Sequence, residues 1–329
     1  MRPRHTENEL VTRIKKSFPS AKNTSLRLAL GDDAALLKSR PGHEEVLTCD
    51  WFLEGSHFLR DKHPADAVGW KCLARAVSDI AAMGGAPRCF LLSIALPAEL
   101  TGRWFEGFLG GLRRASRKLQ CELAGGDTTR HERVLINITV IGEVKRGRAV
   151  LRSGARPDDL LFVSGTLGEA DLGLQLLRKG EGKASKSREA LRKHLYPQPR
   201  IELGQLLSER GLATSMIDIS DGLSTDLARI CEASGVGAVV AEDALPWPRG
   251  VAEEEGARLA LHGGDDYELL FTVRPSRIQI RRLKMALKMI PGPPVTLIGG
   301  ISKEKILLLS KGKSAVQEIL AGGWDPFRE

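Results

Sequence analysis

The chain has 329 residues, 42% of them hydrophobic and 27% charged, with a formal charge of +8. Such a length and balance mark a globular protein of two domains, able to bury a sizeable core. No apolar run approaches the roughly 20 residues that cross a bilayer, and the basic start, Met1 to His5, has no apolar stretch of a secretion signal. A cytoplasmic location with no membrane partner is therefore expected.

Residues 7 to 18 read as a short amphipathic helix. Between Leu28 and Leu37 an apolar segment carries Gly31-Asp32-Asp33, adjacent acids that are costly to bury unpaired. A cation partner is the better reading there, although aspartates also occupy the corners of plain turns. A strand from Glu45 brings in a third acid, Asp50, and leads to Trp51 through Phe58, where His57 on its own is more often a hydrogen-bonded loop histidine than a catalyst. Pro64 then opens a helix with Leu73, Ala76, Val77, Ile80 and Met83 at helical spacing, closed by Gly84-Gly85. Asp79 sits among these apolar positions, where a surface acid would face the other way.

A strand from Arg88 to Leu96, a helix from Thr101 to Leu119 and a short strand from Cys121 to Ala124 lead to Gly125-Gly126-Asp127-Thr128-Thr129. Consecutive glycines let backbone N–H groups converge on an anion, though Gly-Gly-Asp also makes an ordinary turn. A further strand, Val134 to Val144, closes a first α/β domain, expected over residues 1–145. The second domain, 146–329, begins in a basic stretch where Arg152 serves either a linker or a phosphate. It continues as a βαβ-like series with strands at Leu160 to Ser164 and Met216 to Ile219. Asp218 and Asp221, three residues apart at a strand-to-helix turn, can face one site at a sheet edge; Ser220 or Asp221 can equally be a helix cap. Near the end, His262-Gly263-Gly264-Asp265-Asp266-Tyr267-Glu268 repeats the grammar of glycine, acid, strand, and Trp324 follows a glycine pair.

Seven aspartates at glycine-flanked turns or inside apolar helices would repel one another if gathered, unless divalent cations screened them. All-oxygen ligation favours magnesium, and magnesium commonly accompanies phosphates. No Walker A, GxGxxG or kinase HRD pattern is present, so a phosphoryl-transfer enzyme of this kind would hold nucleotide through metals and backbone amides. The five cysteines, Cys49, Cys72, Cys89, Cys121 and Cys231, form no zinc pattern and read as free thiols. The few aromatics and acid-rich turns argue against a nucleic-acid partner.

Gly31-Asp32-Asp33-Ala34-Ala35, Asp50 to Phe58, Ser78 to Gly84, Gly125 to Thr128, Asp218 to Leu223 and Gly263 to Leu269, in this order over nearly the whole chain, resemble the thiamine-monophosphate kinase family, within the wider group of aminoimidazole ribonucleotide synthetase. The resemblance implies a two-domain PurM-like α/β (α+β) architecture, the N-terminal sheet-and-helix domain forming a homodimer interface and the C-terminal α/β domain completing the active site. It implies ATP-dependent phosphorylation of thiamine monophosphate to thiamine diphosphate, with several Mg2+ ions. Asp32, Thr48, Cys49, Asp50, Asp79, Asp127, Asp218 and Asp221 would face metal, Cys49 through backbone oxygen because the family commonly has threonine there. Gly126, Asp127, Arg152 and Ser220 would contact ATP; His57, Asp265 and Trp324 would contact thiamine phosphate; Asp127, Asp218 and Asp221 would be catalytic. Two departures stand out: Asp265 where glutamate is usual, and Ala76 where asparagine is frequent. A selenophosphate synthetase would want a cysteine before Cys49, and a hydrogenase-maturation relative a C-terminal one.

Overall fold

A computed structural model describes residues 6–18, 25–28, 30, 34–181, 185–312 and 315–327. Asp32, with Gly31 and Asp33, lies outside the described residues. The chain divides into two compact units, Met1–Ile80 with Ala86–Arg146, and Ala81–Gly85 with Gly147–Glu329.

In the first unit, helix α1 (Glu7–Ser17) starts at a capping box in which Thr6 and Glu9 satisfy each other's backbone N–H groups. A small antiparallel pair, β1 (Leu26–Leu28) and β2 (Leu36–Leu37), follows. Four strands, β3 (His43–Leu53), β4 (Ala86–Leu96), β5 (Glu122–Arg130) and β6 (Leu135–Lys145), form a sheet in the order β3-β6-β4-β5, with β4 and β5 parallel. Register and alternation divide it into two faces. Phe90, Leu92 and Ile94 pair with Val140, Ile138 and Ile136, and all are buried. Thr48, Asp50 and Phe52 pair with the same three β6 residues, so they share this face. Helices α2 (Ala65–Ala82) and α3 (Arg103–Leu119) supply the rest of the core: Leu73, Val77 and Ile80 from one, Phe105, Phe108 and Leu112 from the other. The opposite sheet face presents Leu47, Cys49, Trp51 and Leu91 to solvent.

The helices cross with backbones touching. A Cβ on Gly69 would stand 2.1 Å from the Phe108 carbonyl oxygen, and one on Gly111 only 1.8 Å from that of Asp66. Gly125 to Thr129 differs from the expected turn. It continues β5, pairing with Leu91 to Ala95 of β4, because the hydrogen-bonding ladder outcompetes the local turn tendency of two glycines. Gly126 is still required: its φ is +154°, and a Cβ there would lie 1.8 Å from the Leu92 oxygen.

The second unit contains β7 (Leu160–Ser164), α4 (Glu169–Lys179), α5 (Ser185–Leu195), α6 (Ile201–Glu209), β8 (Ser215–Ile219), α7 (Leu223–Ser234), β9 (Gly237–Ala241), α8 (Glu253–His262), β10 (Glu268–Val273), α9 (Arg277–Leu287), β11 (Val295–Ser302), β12 (Leu307–Lys311) and β13 (Ala315–Glu318). Its sheet runs β13-β12-β9-β11-β7-β10-β8. The βαβ-like expectation fails on strand direction: β12 with β9 is the parallel pair and the remaining pairings are antiparallel. The reason is topological. Strands that follow one another across a helix, such as β7 and β8 or β8 and β9, are not neighbours here, so the alternation of strand and helix leaves their relative direction open. Strand β8 is buried on both faces, Ile217 and Ile219 packing into one cluster with Leu223, Leu227 and Ile230, and Met216 into another with Leu207, Leu269 and Phe271.

Candidate active site

In the first unit, the register that sends Thr48 and Asp50 to the helix-covered face also sends Cys49 to the other, where its Sγ lies 3.4 Å from Asn137 Oδ1. Asp79 comes to meet the first pair: Thr48 Oγ1 donates a hydrogen bond to Asp79 Oδ2. Asp50 Oδ2 stands 3.8 Å from Arg75 Nε, one turn before Asp79 on α2. Asp79 is therefore inward for a reason, since its carboxylate is matched to a strand hydroxyl. Asp127 is exposed on β5 opposite Ser93, whose β6 partner Asn137 also pairs with Trp51, so it lies on the other sheet face from Thr48 and Asp50 and is not brought to them within this unit. Beside it, Thr128 Oγ1 is buried with no hydrogen-bond partner, as is Ser78 Oγ beside Asp79. His57 Nδ1 accepts the Leu53 N–H at 3.1 Å, and its ring lies 5.9 Å from that of Phe52. Accepting that bond leaves Nε2 as the ring's donor position in the neutral form.

In the second unit three segments are stitched together by main-chain bonds around the end of β8. The Asp265 N–H donates to the Ser220 oxygen, Tyr267 N–H to the Ile219 oxygen and Trp324 N–H to the Asp221 oxygen, each at 2.8 Å. Of the expected residues, this brings Ser220, Asp221, Asp265 and Trp324 together. Asp218 sits just before them, 4% exposed and paired with Leu269 across the sheet. Arg152 is exposed, and its carbonyl oxygen accepts from Ser234 Oγ. Asp265 and Tyr267 both adopt left-handed backbone, φ 68° and 52°, and the Tyr267 hydroxyl donates to Asp265 Oδ1 at 2.7 Å. Non-glycine residues hold such angles at some cost, so the surrounding bonds fix this loop.

Asp226, unremarked in the sequence, secures the turn. Its Oδ2 accepts the N–H groups of Ser220 and Asp221 at 3.0 Å each, and its Oδ1 takes Arg229 Nη1. Burial, then the neighbouring Asp221 charge, pushes the Asp226 carboxyl up to about 6 against these donors. The Arg229 guanidinium spans to Asp221 as well. A spacing of Asp221, Asp226 and Arg229 on one helix start was the available signal.

Behind the Gly263–Tyr267 loop lies a second network that sequence reasoning missed. Glu268 is fully buried and is met by Lys193 Nζ, by Arg200 through two nitrogens, and by Ser164 Oγ at 2.6 Å. Burial alone would raise its carboxyl, yet Lys193 and Arg200 outweigh it and hold the group below the usual range. Asp266, also buried, accepts from the N–H groups of Gly168 and Ala170 at the start of α4. These acids anchor the loop and do not face solvent.

Among the described residues no three His, Cys, Asp or Glu side chains converge on a common point. The donors that do meet, Thr48 Oγ1 and Asp79 Oδ2, are oxygens, and the orphaned Ser78 hydroxyl beside Asp79 is a buried polar atom with no partner. Such a donor set fits magnesium and not zinc or copper.

Residues 31–144 match the model of the AIR synthase related protein N-terminal domain, and 156–321 that of its C-terminal domain. Thiamine-monophosphate kinase of Salmonella typhimurium is 39% identical over 299 residues, 88% of this chain and 90% of the relative. The chain belongs to the thiamine-monophosphate kinase family. Among solved family members, the thiamine-monophosphate kinase of Stenotrophomonas maltophilia K279a superposes with a TM-score of 0.81 at 35% identity, covering 91% of this chain and 95% of that one. A structure described as AaThiL complexed with AMPPCP and TMP gives a TM-score of 0.72 at 31% identity, covering 95% of this chain and 97% of the other. The PurM-like two-domain fold expected of the family is thus the fold of this chain. No helix among the described residues is long and apolar enough to cross a membrane.

Proposed function

We propose that the protein is a thiamine-monophosphate kinase, transferring the γ-phosphoryl group of ATP to thiamine monophosphate to give thiamine diphosphate and ADP. The observation that carries this is the match over 95% of the chain to a family member holding an ATP analogue and TMP together. A phosphate oxygen of the acceptor forms the new bond to the γ-phosphorus as the bond to the departing ADP oxygen breaks. That oxygen is largely ionised near neutral pH, so no strong base is needed, and His57, already engaged with Leu53, serves as a positioning group.

The first unit, taken as residues 1–145, is assigned metal and nucleotide binding: Thr48, Asp50, Asp79 and Asp127, together with Asp32 and the backbone oxygen of Cys49, would hold magnesium, which supplies charge neutralisation between the two polyanions when bound. In the second unit, 146–329, Asp218 and Asp221 take the same role. Gly126, Arg152 and Ser220 contact ATP, Ser220 through its hydroxyl because its N–H is given to Asp226. Asp265 and Trp324 contact the acceptor; Trp324, 47% exposed, offers its indole as a stacking surface. We assign the exposed sheet face of the first unit to a second copy of the chain: Leu47 is 66% and Trp51 56% exposed on it, more apolar surface than a free sheet face usually shows. A cytoplasmic homodimer results.

The test is incubation of the purified protein with ATP, magnesium and thiamine monophosphate, following thiamine diphosphate by chromatography with free thiamine in parallel. Product from the monophosphate alone is expected. A folded protein that binds ATP and yields none would move the assignment to another phosphate acceptor.

A further inference from the structure

The segment before Trp324 is docked by two side chains from the first turn of α7. Three consecutive tail N–H groups are satisfied by the start of α7 and the turn before it: Gly322 by Ser224 Oγ at 3.3 Å, Gly323 by Thr225 Oγ1 at 3.1 Å, and Trp324 by the Asp221 carbonyl at 2.8 Å. Serine and threonine in a first helical turn ordinarily serve their own helix. Here no side chain caps α7 at Gly222 and Asp226 secures the turn before it through the Ser220 and Asp221 N–H groups, while the Ser224 and Thr225 hydroxyls accept from the tail. The fit is close. A Cβ on Gly323 would lie 1.8 Å from the Asp221 oxygen and one on Gly322 2.9 Å from His262 Nδ1. His262 Nδ1 in turn lies 2.9 Å from Ser224 Oγ, which is fully buried. If the serine proton is given to that nitrogen, the serine oxygen stays available to the Gly322 N–H.

A tryptophan after two glycines would otherwise sample many orientations, and ordering it would fall on substrate binding. We infer that Ser224 and Thr225 are positioning residues for the acceptor, fixing the Gly322–Gly323 hinge so that the Trp324 indole is presented in one place before the thiamine ring arrives. This rests on the assignment of Trp324 to the acceptor. It goes beyond it in making the hydroxyls of Ser224 and Thr225 determinants of acceptor affinity. Asp265 and Trp324 hang from the carbonyls of the adjacent residues Ser220 and Asp221, so the same turn sets the spacing between the two acceptor contacts.

The experiment uses the full-length enzyme with Thr225→Val, Thr225→Ser, Ser224→Ala combined with Thr225→Val, and Trp324→Ala. Steady-state KM for thiamine monophosphate and for ATP is read separately, with hydrogen exchange of the peptide spanning 321–327. Thr225→Val should raise KM for thiamine monophosphate about five-fold and the double variant about twenty-fold, with kcat and KM for ATP within about two-fold of the parent. Thr225→Ser should restore the parent KM, and exchange at Gly323 should quicken in Thr225→Val and not in Thr225→Ser. A loss of active protein without a KM change would show up as lower kcat, and that result overturns the inference. So does an unchanged KM in the double variant while Trp324→Ala raises it, which leaves the tryptophan assignment standing. If Trp324→Ala also leaves KM unchanged, both fall.

Discussion

Arg229 Nη2 lies 2.6 Å from Asp221 Oδ2. The carboxylate assigned to metal is thus held from behind by a cation, in the manner in which outer groups orient metal ligands. Asp221→Asn keeps the shape and removes the charge. Turnover should fall at least about a hundred-fold and need more magnesium to recover, while Asp226 keeps the turn in place and the melting temperature moves little. Initial rates across a magnesium series, with circular-dichroism melts, decide it; parent-like rates would take Asp221 out of the metal set.

Thr48 and Asp79 make a graded pair. Asp79→Asn removes a proposed ligand, whereas Thr48→Val removes the hydroxyl that fixes it. The first should all but abolish turnover, and the second should cost about ten-fold, mainly as weaker magnesium affinity. Equal losses in the two variants would mean that the Asp79 charge adds nothing at the ion, and would take Asp79 out of the metal set.

Glu268 should matter to stability and not to chemistry. Replacing it with Gln leaves Lys193 and Arg200, 20% and 16% exposed at their side chains, without their shared anion, at a cost of about 3 kcal/mol. Because the folded state holds this carboxyl below its ordinary value, the unfolded chain binds the proton first. The stabilisation is present above about pH 4.5 and is lost as pH falls through the lower folded value. Urea unfolding at pH 7 and again near pH 3 should show the parent's advantage over Glu268→Gln shrinking; a constant difference would refute the assignment.

The exposed sheet face gives a separate test. Trp51→Arg or Leu47→Glu places charge where a second copy would pack and should convert a dimer to a monomer in sedimentation velocity, with little effect on the monomer's own core. A dimer that survives both changes would associate through another surface.

Local pattern was enough to find most helices and strands of the first unit, because α2, α3 and the alternating strands bury one face each and write it into the sequence at period 3.6 or 2. Strand direction in the second unit was not written there: β8 and β10 are buried on both sides, so their residues follow no in–out alternation that would carry pairing information. Asp79 stood out since an acid on an apolar stripe is anomalous by itself. Ser224, Thr225 and Asp226 did not, for each is an ordinary choice near a helix start, and what distinguishes them is a tail nearly a hundred residues away. Likewise the anchoring of Glu268 depends on Lys193 and Arg200, drawn from a different helix and the loop after it.

The crossing of α2 and α3 carries a consequence for how this sequence can drift. At Gly69 and Gly111 one helix rests on the other's main chain, so even a methyl group there acts as a wedge and drives α2 outward. Asp79 lies further along that same rigid rod. Two positions that never meet a ligand are thereby bound to the fate of one assigned to metal, and across descendants of this gene they should be as resistant to replacement as the carboxylates themselves.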